Sequence, residues 1–225
     1  MAKVHGMPGE WARVKGTVAG LWPMFLGVGV LGFSIAIAVF VDFIIGALLS
    51  VAVSIFVIWS NARGLKMLKR FYKGARGEER VSAILSSLPG TYHVFNDFLA
   101  LSSHVDHVVV GPEGVFAIET KYWAGTVTLD DEFILLNGDM PERSPLSQVL
   151  KEAKTVKSEL KNLGWNGDVT PILAFASDTF EPCRAEKSGV LIINASELLD
   201  VFDSRREVME SEELNRLVSL MEHKS

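Results

Sequence analysis

The stretch that decides the fold is Val105-Asp106-His107-Val108-Val109-Val110-Gly111-Pro112-Glu113-Gly114-Val115-Phe116-Ala117-Ile118-Glu119-Thr120-Lys121. Two apolar runs flank Gly111-Pro112-Glu113-Gly114, a turn composition, and predict a β-hairpin with strands over 105–110 and 115–121. With a symmetric turn, paired residue numbers sum to 225, so Gly111 opposes Gly114, Val110 opposes Val115 and Asp106 opposes Glu119. Directly opposed residues project from one face, with Cβ atoms about 4.5–5.5 Å apart. Lys121 lies two residues beyond Glu119 and shares that face, while Thr120 points away. Two carboxylates and an ammonium thus converge at one strand end. Paired carboxylates repel, and a hard divalent cation such as Mg²⁺ relieves the repulsion by accepting oxygen ligands. The lysine can orient a water or stabilise charge developing on phosphate. The plainer alternative is an exposed cross-strand salt bridge, which stabilises weakly. Against it, residues 108–110 and 115–118 are apolar on both faces, as in a central strand covered by helices, where charges are rare.

Outward from the hairpin, Gly77-Glu78-Glu79-Arg80 opens an amphipathic helix with Val81, Ile84, Leu85 and Leu88 on one face, stopped by Pro89-Gly90. A strand is expected over 92–99, and a further hairpin over 127–129 and 133–136 about Asp130-Asp131. A longer helix follows over about 147–163, then buried strands at 169–176 and 190–193 and closing helices at 196–202 and 207–222. This succession predicts an α/β fold, a mixed sheet flanked by helices. On the longer helix Lys151, Lys154, Lys157 and Lys161 fall within an arc of about 120°. They read either as a phosphate-guiding stripe or as a solvated face with Glu152 and Glu159 at its side. His107 faces away from Asp106 and reads as a hydrogen-bonded core histidine; Trp165 reads as a packing residue.

The N-terminal third is a different object. Between Leu21 and Trp59 the only charged residue is Asp42. That length suits two membrane spans, about 18–41 and 43–60, since roughly 20 helical residues cross the hydrocarbon core. Asp42 belongs at the hairpin tip, because at a span centre it would cost about 2.5–3.5 kcal/mol. Ala36-Ile37-Ala38 resembles a signal-peptide cleavage site, but the apolar run before it is too long and a second run follows at once. Gly27-Val28-Gly29-Val30-Leu31-Gly32 matches a dinucleotide fingerprint in letters only; inside a membrane run its glycines serve close helix packing. Residues 1–76 hold nine Lys/Arg against Glu10 and Asp42, a balance of +7, and the remainder of the chain carries −12. Basic flanks on both sides of the apolar run place both termini in the cytoplasm. The expected organisation is a cytoplasmic N-terminus over 1–17, a two-helix transmembrane hairpin over 18–60, a basic juxtamembrane segment over 61–76 and a cytoplasmic domain over 77–225. The basic segment suits anionic lipid head groups first and nucleic-acid phosphates second. The single cysteine, Cys183, excludes an intrachain disulfide framework and a zinc site of clustered cysteines.

Four motifs occur in order: Gly74-Ala75-Arg76-Gly77-Glu78, the hairpin from Val105 to Phe116, Ile118-Glu119-Thr120-Lys121 with Gly125, and Ser144-Pro145-Leu146-Ser147-Gln148. From about Gly74 to Asp178 the chain resembles the nuclease-related domain (NERD) family, of the PD-(D/E)-x-K restriction-endonuclease-like superfamily. The resemblance implies a restriction-endonuclease-like mixed sheet, here preceded by the transmembrane hairpin. It implies that Asp106 and Glu119 bind a catalytic Mg²⁺ or Mn²⁺, that Lys121 serves the attacking water, that Glu78 supports the metal site and that Gln148 completes it. Tyr122-Trp123 departs from the asparagine found after the lysine in many members. The implied activity is hydrolysis of phosphodiesters, DNA before RNA, by an integral protein of the cell (inner) membrane whose nuclease-related domain faces the cytoplasm. Two other readings keep the fold without the chemistry: a membrane scaffold for a protein partner, and a nucleic-acid-binding module without turnover. The glycine-containing first span suits oligomerisation through the membrane.

Overall fold

The computed structural model describes residues 1–101, 103–130 and 133–223; Asp131 of the expected Asp130-Asp131 turn lies outside them. The chain begins with β1 (Lys3–His5), α1 (Glu10–Phe40) and α2 (Phe43–Ser86), followed by β2 (His93–Ala100), β3 (Ser103–Gly111) and β4 (Gly114–Lys121). Then come β5 (Val127–Leu129), β6 (Ile134–Leu136), α3 (Pro145–Asn162) and β7 (Val169–Phe175). It closes with β8 (Arg184–Lys187), β9 (Val190–Asn194), a single 3₁₀ turn, α4 (Leu198–Asp203) and α5 (Ser211–Glu222). These elements form two compact units, one of Met1–Glu10 with Gly74–Ser225 and one of Trp11–Lys73.

In the first unit the hairpin takes the register its sequence predicts, from Gly111 opposite Gly114 to His107 opposite Ile118. It sits inside a seven-stranded sheet of order β1-β2-β3-β4-β7-β9-β8. The sheet is mixed: β3 pairs antiparallel with β2 and β4, whereas β4, β7 and β9 run parallel. β4 is central and buried along its length until Lys121, which explains its two-sided apolar sequence. One face carries Val109, Phe116 and Ile118 against Val81 and Leu85 of α2 and Phe202 of α4. The other carries Phe95, Val108 and Val110 against Val156 and Leu160 of α3 and Leu217 of α5. The mixed α/β fold and the two long apolar N-terminal helices are therefore as the sequence predicts.

Some elements differ from expectation. No helix starts at Gly77; α2 runs unbroken from Phe43 to Ser86, through Gly74 and Gly77. β1 and β8 were not expected, the first because three residues carry no period and the second because Arg184-Ala185-Glu186-Lys187 is polar on an edge. Residues 207–210 are not helical, because the Val208 and Met209 N–H groups both donate to the Pro112 carbonyl, at 2.8 and 2.9 Å. α3 starts two residues earlier than expected, with Ser144 capping the Ser147 N–H and Pro145 in the first turn.

In the second unit α1 and the first part of α2 are long and apolar enough to cross a membrane. Phe25, Phe33, Val39, Ile44, Leu48 and Ile58 are exposed, as a lipid-facing surface requires. Asp42 stands between the helices, and its Oδ1 accepts the Ile45 N–H at 2.9 Å, so the lone charge of the apolar run is the cap of α2. Gly27 faces Val57 so closely that a Cβ there would collide with its methyl groups, whereas Gly29 and Gly32 face open space. Close packing therefore uses the first glycine of the Gly-rich motif. Ser34 and Ser50 join the helices by a 2.9 Å hydroxyl contact.

Phe202 is fully buried, edge-on to Phe116 at 4.9 Å and to Tyr92 at 5.6 Å. Phe202→Ala is expected to destabilise the sheet-bearing unit by about 3–5 kcal/mol. Chemical denaturation of the detergent-solubilised protein checks this, and a loss under about 1 kcal/mol would contradict the packing described.

Candidate active site

The site is built where β4 ends. The Thr120 backbone N–H turns to Asp106 and donates to its Oδ2 at 2.8 Å, which fixes that carboxyl beside the strand. Glu119 projects to the α3 side and is 3 % exposed. Its Oε1 accepts from the Lys121 Nζ and, at 2.7 Å, from the Gln148 Nε2. Lys121 Nζ also donates to Gln148 Oε1 at 2.9 Å. Glu119, Lys121 and Gln148 thus form a closed triangle of hydrogen bonds, with the Gln148 amide oriented by its two partners. Gln148 comes from the first turn of α3, and the N-cap that starts this helix sets its place.

Glu78 enters from the opposite layer, on the last part of α2. Gly77 lets the helix approach, since a Cβ there would lie 2.8 Å from the Tyr122 Cβ. A backbone hydrogen bond from Gly9 reaches the Glu78 carboxylate. The Arg80 guanidinium ties the same helix to the Ala176 carbonyl and the Asp178 carboxylate beyond β7.

A residue that the sequence reading placed at the side of a solvated face belongs here as well. Glu152 is 6 % exposed, and its Oε1 accepts from Gln148 Nε2 at 2.9 Å. The signal was available: Glu152 lies four residues after Gln148, hence above it on one helix face. Glu159 is likewise buried, with Oε2 accepting the Leu101 N–H at 3.0 Å. Of the lysines, Lys157 is committed to Asp168, while Lys151 and Lys154 border an open groove of about 450 Å³ with Leu101 and Ser147. His107 is fully buried with Nδ1 2.8 Å from Asn96 Oδ1, and burial pushes its pKa down to about 3, so it is a neutral core histidine. Trp165 is buried and donates to Glu213 at 2.9 Å, a packing residue as expected.

The electrostatics follow first from burial and then from crowding. Burial, then the charges of Glu119 and Glu78, raise the Asp106 carboxyl well above the usual carboxylate range. Burial, then Asp97 and Glu119, push Glu78 up to about 7. Burial and the adjoining Glu119 push Glu152 up to about 9. Burial pulls the Lys121 pKa down, but Glu119 and Asp106 outweigh it and the ammonium is held charged. Four carboxyl groups therefore share one ammonium. An oxygen-only donor set whose retained protons a cation would displace suits a hard divalent ion. The proton that Glu152 keeps is shared with Glu119 through a side-chain hydrogen bond, and a cation entering between the two carboxyls would displace it.

Glu152 gives a pH signature in EDTA. Between pH 4.5 and about 9 the folded chain keeps a proton on Glu152 that the unfolded chain has lost, so stability falls as pH rises through this range. Glu78 adds to the fall only up to about 7. Melting temperatures measured from pH 7 to 9 should decline less for Glu152→Gln than for the wild type; parallel curves would contradict the buried, protonated Glu152.

Two searches, among curated proteins and among solved structures, found no match to this chain. Residues 73–176 match the family model described as nuclease-related domain, NERD. The matched segment contains Glu78, Asp106, Glu119, Lys121, Gln148 and Glu152.

Proposed function

Proceeding from a nuclease-related domain at residues 73–176, we propose that the protein is a membrane-anchored, metal-dependent phosphodiesterase acting on nucleic acid, DNA before RNA. The observation that carries the proposal is the Lys121 ammonium clamped between Glu119 and Gln148 beside Asp106, in a pocket with more carboxylates than cations. Asp106 and Glu119 would hold Mg²⁺ or Mn²⁺. When bound, the ion supplies Lewis acidity toward a phosphoryl oxygen and lowers the pKa of a bound water.

The chain's own residues do the rest. Lys121 stays cationic, so it donates: to a water it holds for attack, and to phosphate oxygens as negative charge grows in the transition state. Gln148 binds both Lys121 and Glu119 and keeps their geometry fixed through the reaction. Glu78, whose proton a bound cation would displace, would support the ion from the opposite layer. The domain's charge of −12 opposes a polyanion, so nucleic acid would enter where cations lie, along Lys151 and Lys154 or the basic segment over 61–76.

We place both termini and the domain on the cytoplasmic side, with the two apolar helices in the cell (inner) membrane, because Arg13 and Lys15 precede the apolar run and six Lys/Arg follow it. Cys183 is exposed and is the chain's one cysteine. A membrane-impermeant maleimide should label it only after the cells are opened. Labelling of intact cells would reverse the topology.

The chemistry is tested with the detergent-solubilised full chain on single- and double-stranded DNA and on RNA, in Mg²⁺, Mn²⁺ or EDTA. Cleavage is expected with metal only, and Asp106→Ala and Lys121→Ala should each lower it by about a hundredfold or more. Cutting that survives both substitutions would refute the proposal. Salt-sensitive DNA binding without turnover would make the domain a binding module, and neither activity would make it a scaffold for a protein partner.

A further inference from the structure

His5, on edge strand β1, meets two residues that are remote in sequence. Its Nε2 lies 3.1 Å from the Nδ1 of His93 on β2, and its Nδ1 lies 3.6 Å from the Oε1 of Glu222 at the end of α5. Each of the three residues offers a donor atom within 4.8 Å of those of the other two; among the described residues no other group of three or more His, Cys, Asp or Glu meets that condition. The arrangement follows from the register. β1 pairs parallel with β2 so that His5 is opposite Phe95, and His93, two residues before Phe95, shares its face. That face is the one α5 covers, which brings Glu222 to the pair. His5 is also held from the side, stacked on Phe95 at 4.4 Å and 14°.

We propose that His5, His93 and Glu222 bind one divalent transition-metal ion of the zinc type. Two imidazole nitrogens and one carboxylate, with no thiolate, form a borderline donor set that suits Zn²⁺, Co²⁺ or Ni²⁺ rather than Mg²⁺. The His5 Nε2–His93 Nδ1 spacing is nearly that of a coordinated pair, because two nitrogens about 2.0–2.1 Å from a tetrahedral ion stand about 3.3 Å apart. Glu222 stands nearest the other ring nitrogen of His5, and its exposed carboxylate turns to the ion to complete the set. The two nitrogens lie at hydrogen-bond distance, and coordination requires that neither carry a proton there. His93 is 4 % exposed, whereas the side chains of His5 and Glu222 are 22 % and 45 % exposed, which leaves a path for the ion. The site is not the carboxylate site: His93 pairs with Val110, and Asp106 lies four residues earlier on β3, about 13 Å away along the strand. The bound ion would fasten β1 and α5 to β2, closing a sheet edge that otherwise rests on three paired residues.

The test is a titration of the detergent-solubilised full chain with Zn²⁺ and with Co²⁺, with Mg²⁺ in excess to occupy oxygen-only sites. One equivalent is expected to bind, Co²⁺ giving visible d–d absorption of a low-symmetry nitrogen/oxygen site that Zn²⁺ abolishes. His5→Ala and Glu222→Ala, at positions open enough to fold normally, should each weaken binding by about tenfold or more. Zn²⁺ should raise the melting temperature of the wild type and not that of His5→Ala. Failure to bind an equivalent, or binding unchanged in His5→Ala, would overturn the proposal. Neither outcome depends on nucleic-acid cleavage.

Discussion

Glu119 places a carboxylate on the central strand of the sheet, at a position almost sealed from water. Burying an unpaired charge is prohibitive, so everything nearby is arranged to compensate it. Lys121, two residues along the same strand, folds back onto the same oxygen, and Gln148 reaches across from α3 to bind both. This ties the start of α3 to the end of β4, and with it the layer that covers one face of the sheet. The same constraint explains why Thr120, between the two charged residues, turns its N–H to Asp106 instead of leaving that carboxyl to the solvent.

One ammonium does not balance four carboxyl groups. Burial first, and the neighbouring carboxylates second, raise the pKa values of Asp106, Glu78 and Glu152. A domain selected for stability alone would not gather such groups, since replacing them with apolar residues relieves the repulsion. Strongly perturbed groups of this kind concentrate where ions are bound or bonds are broken. The stabilising core lies in the layers above and below, where Phe116, Phe202 and Leu85 on one side and Phe95, Val108 and Leu160 on the other are sealed from water.

Much of this was legible in the sequence, for local reasons. A four-residue turn between two apolar runs fixes the register of β3 and β4, which sets Asp106, Glu119 and Lys121 at one strand end without any long-range information. The spacing of Asp42 in the apolar run identified the turn between α1 and α2. What escaped was set by tertiary contact. β1 has three residues and forms only because β2 offers an edge; residues 207–210 leave the helical path because the Pro112 carbonyl claims their N–H groups. Glu152 looked like one more charge beside a lysine row, and its burial depends on where α3 lies against the sheet. The expected break at Gly77 did not occur because the glycine serves close approach to Tyr122 within a continuous helix.

The central claim is that the carboxylates around β4 form a metal site. Crystals grown with Mn²⁺ and measured for anomalous scattering test it most directly. The account predicts an anomalous peak in contact with both the Asp106 and Glu119 carboxylates, lost in Glu119→Gln. A crystal in excess Mn²⁺ with no peak there, or with a peak unchanged by that substitution, would contradict it.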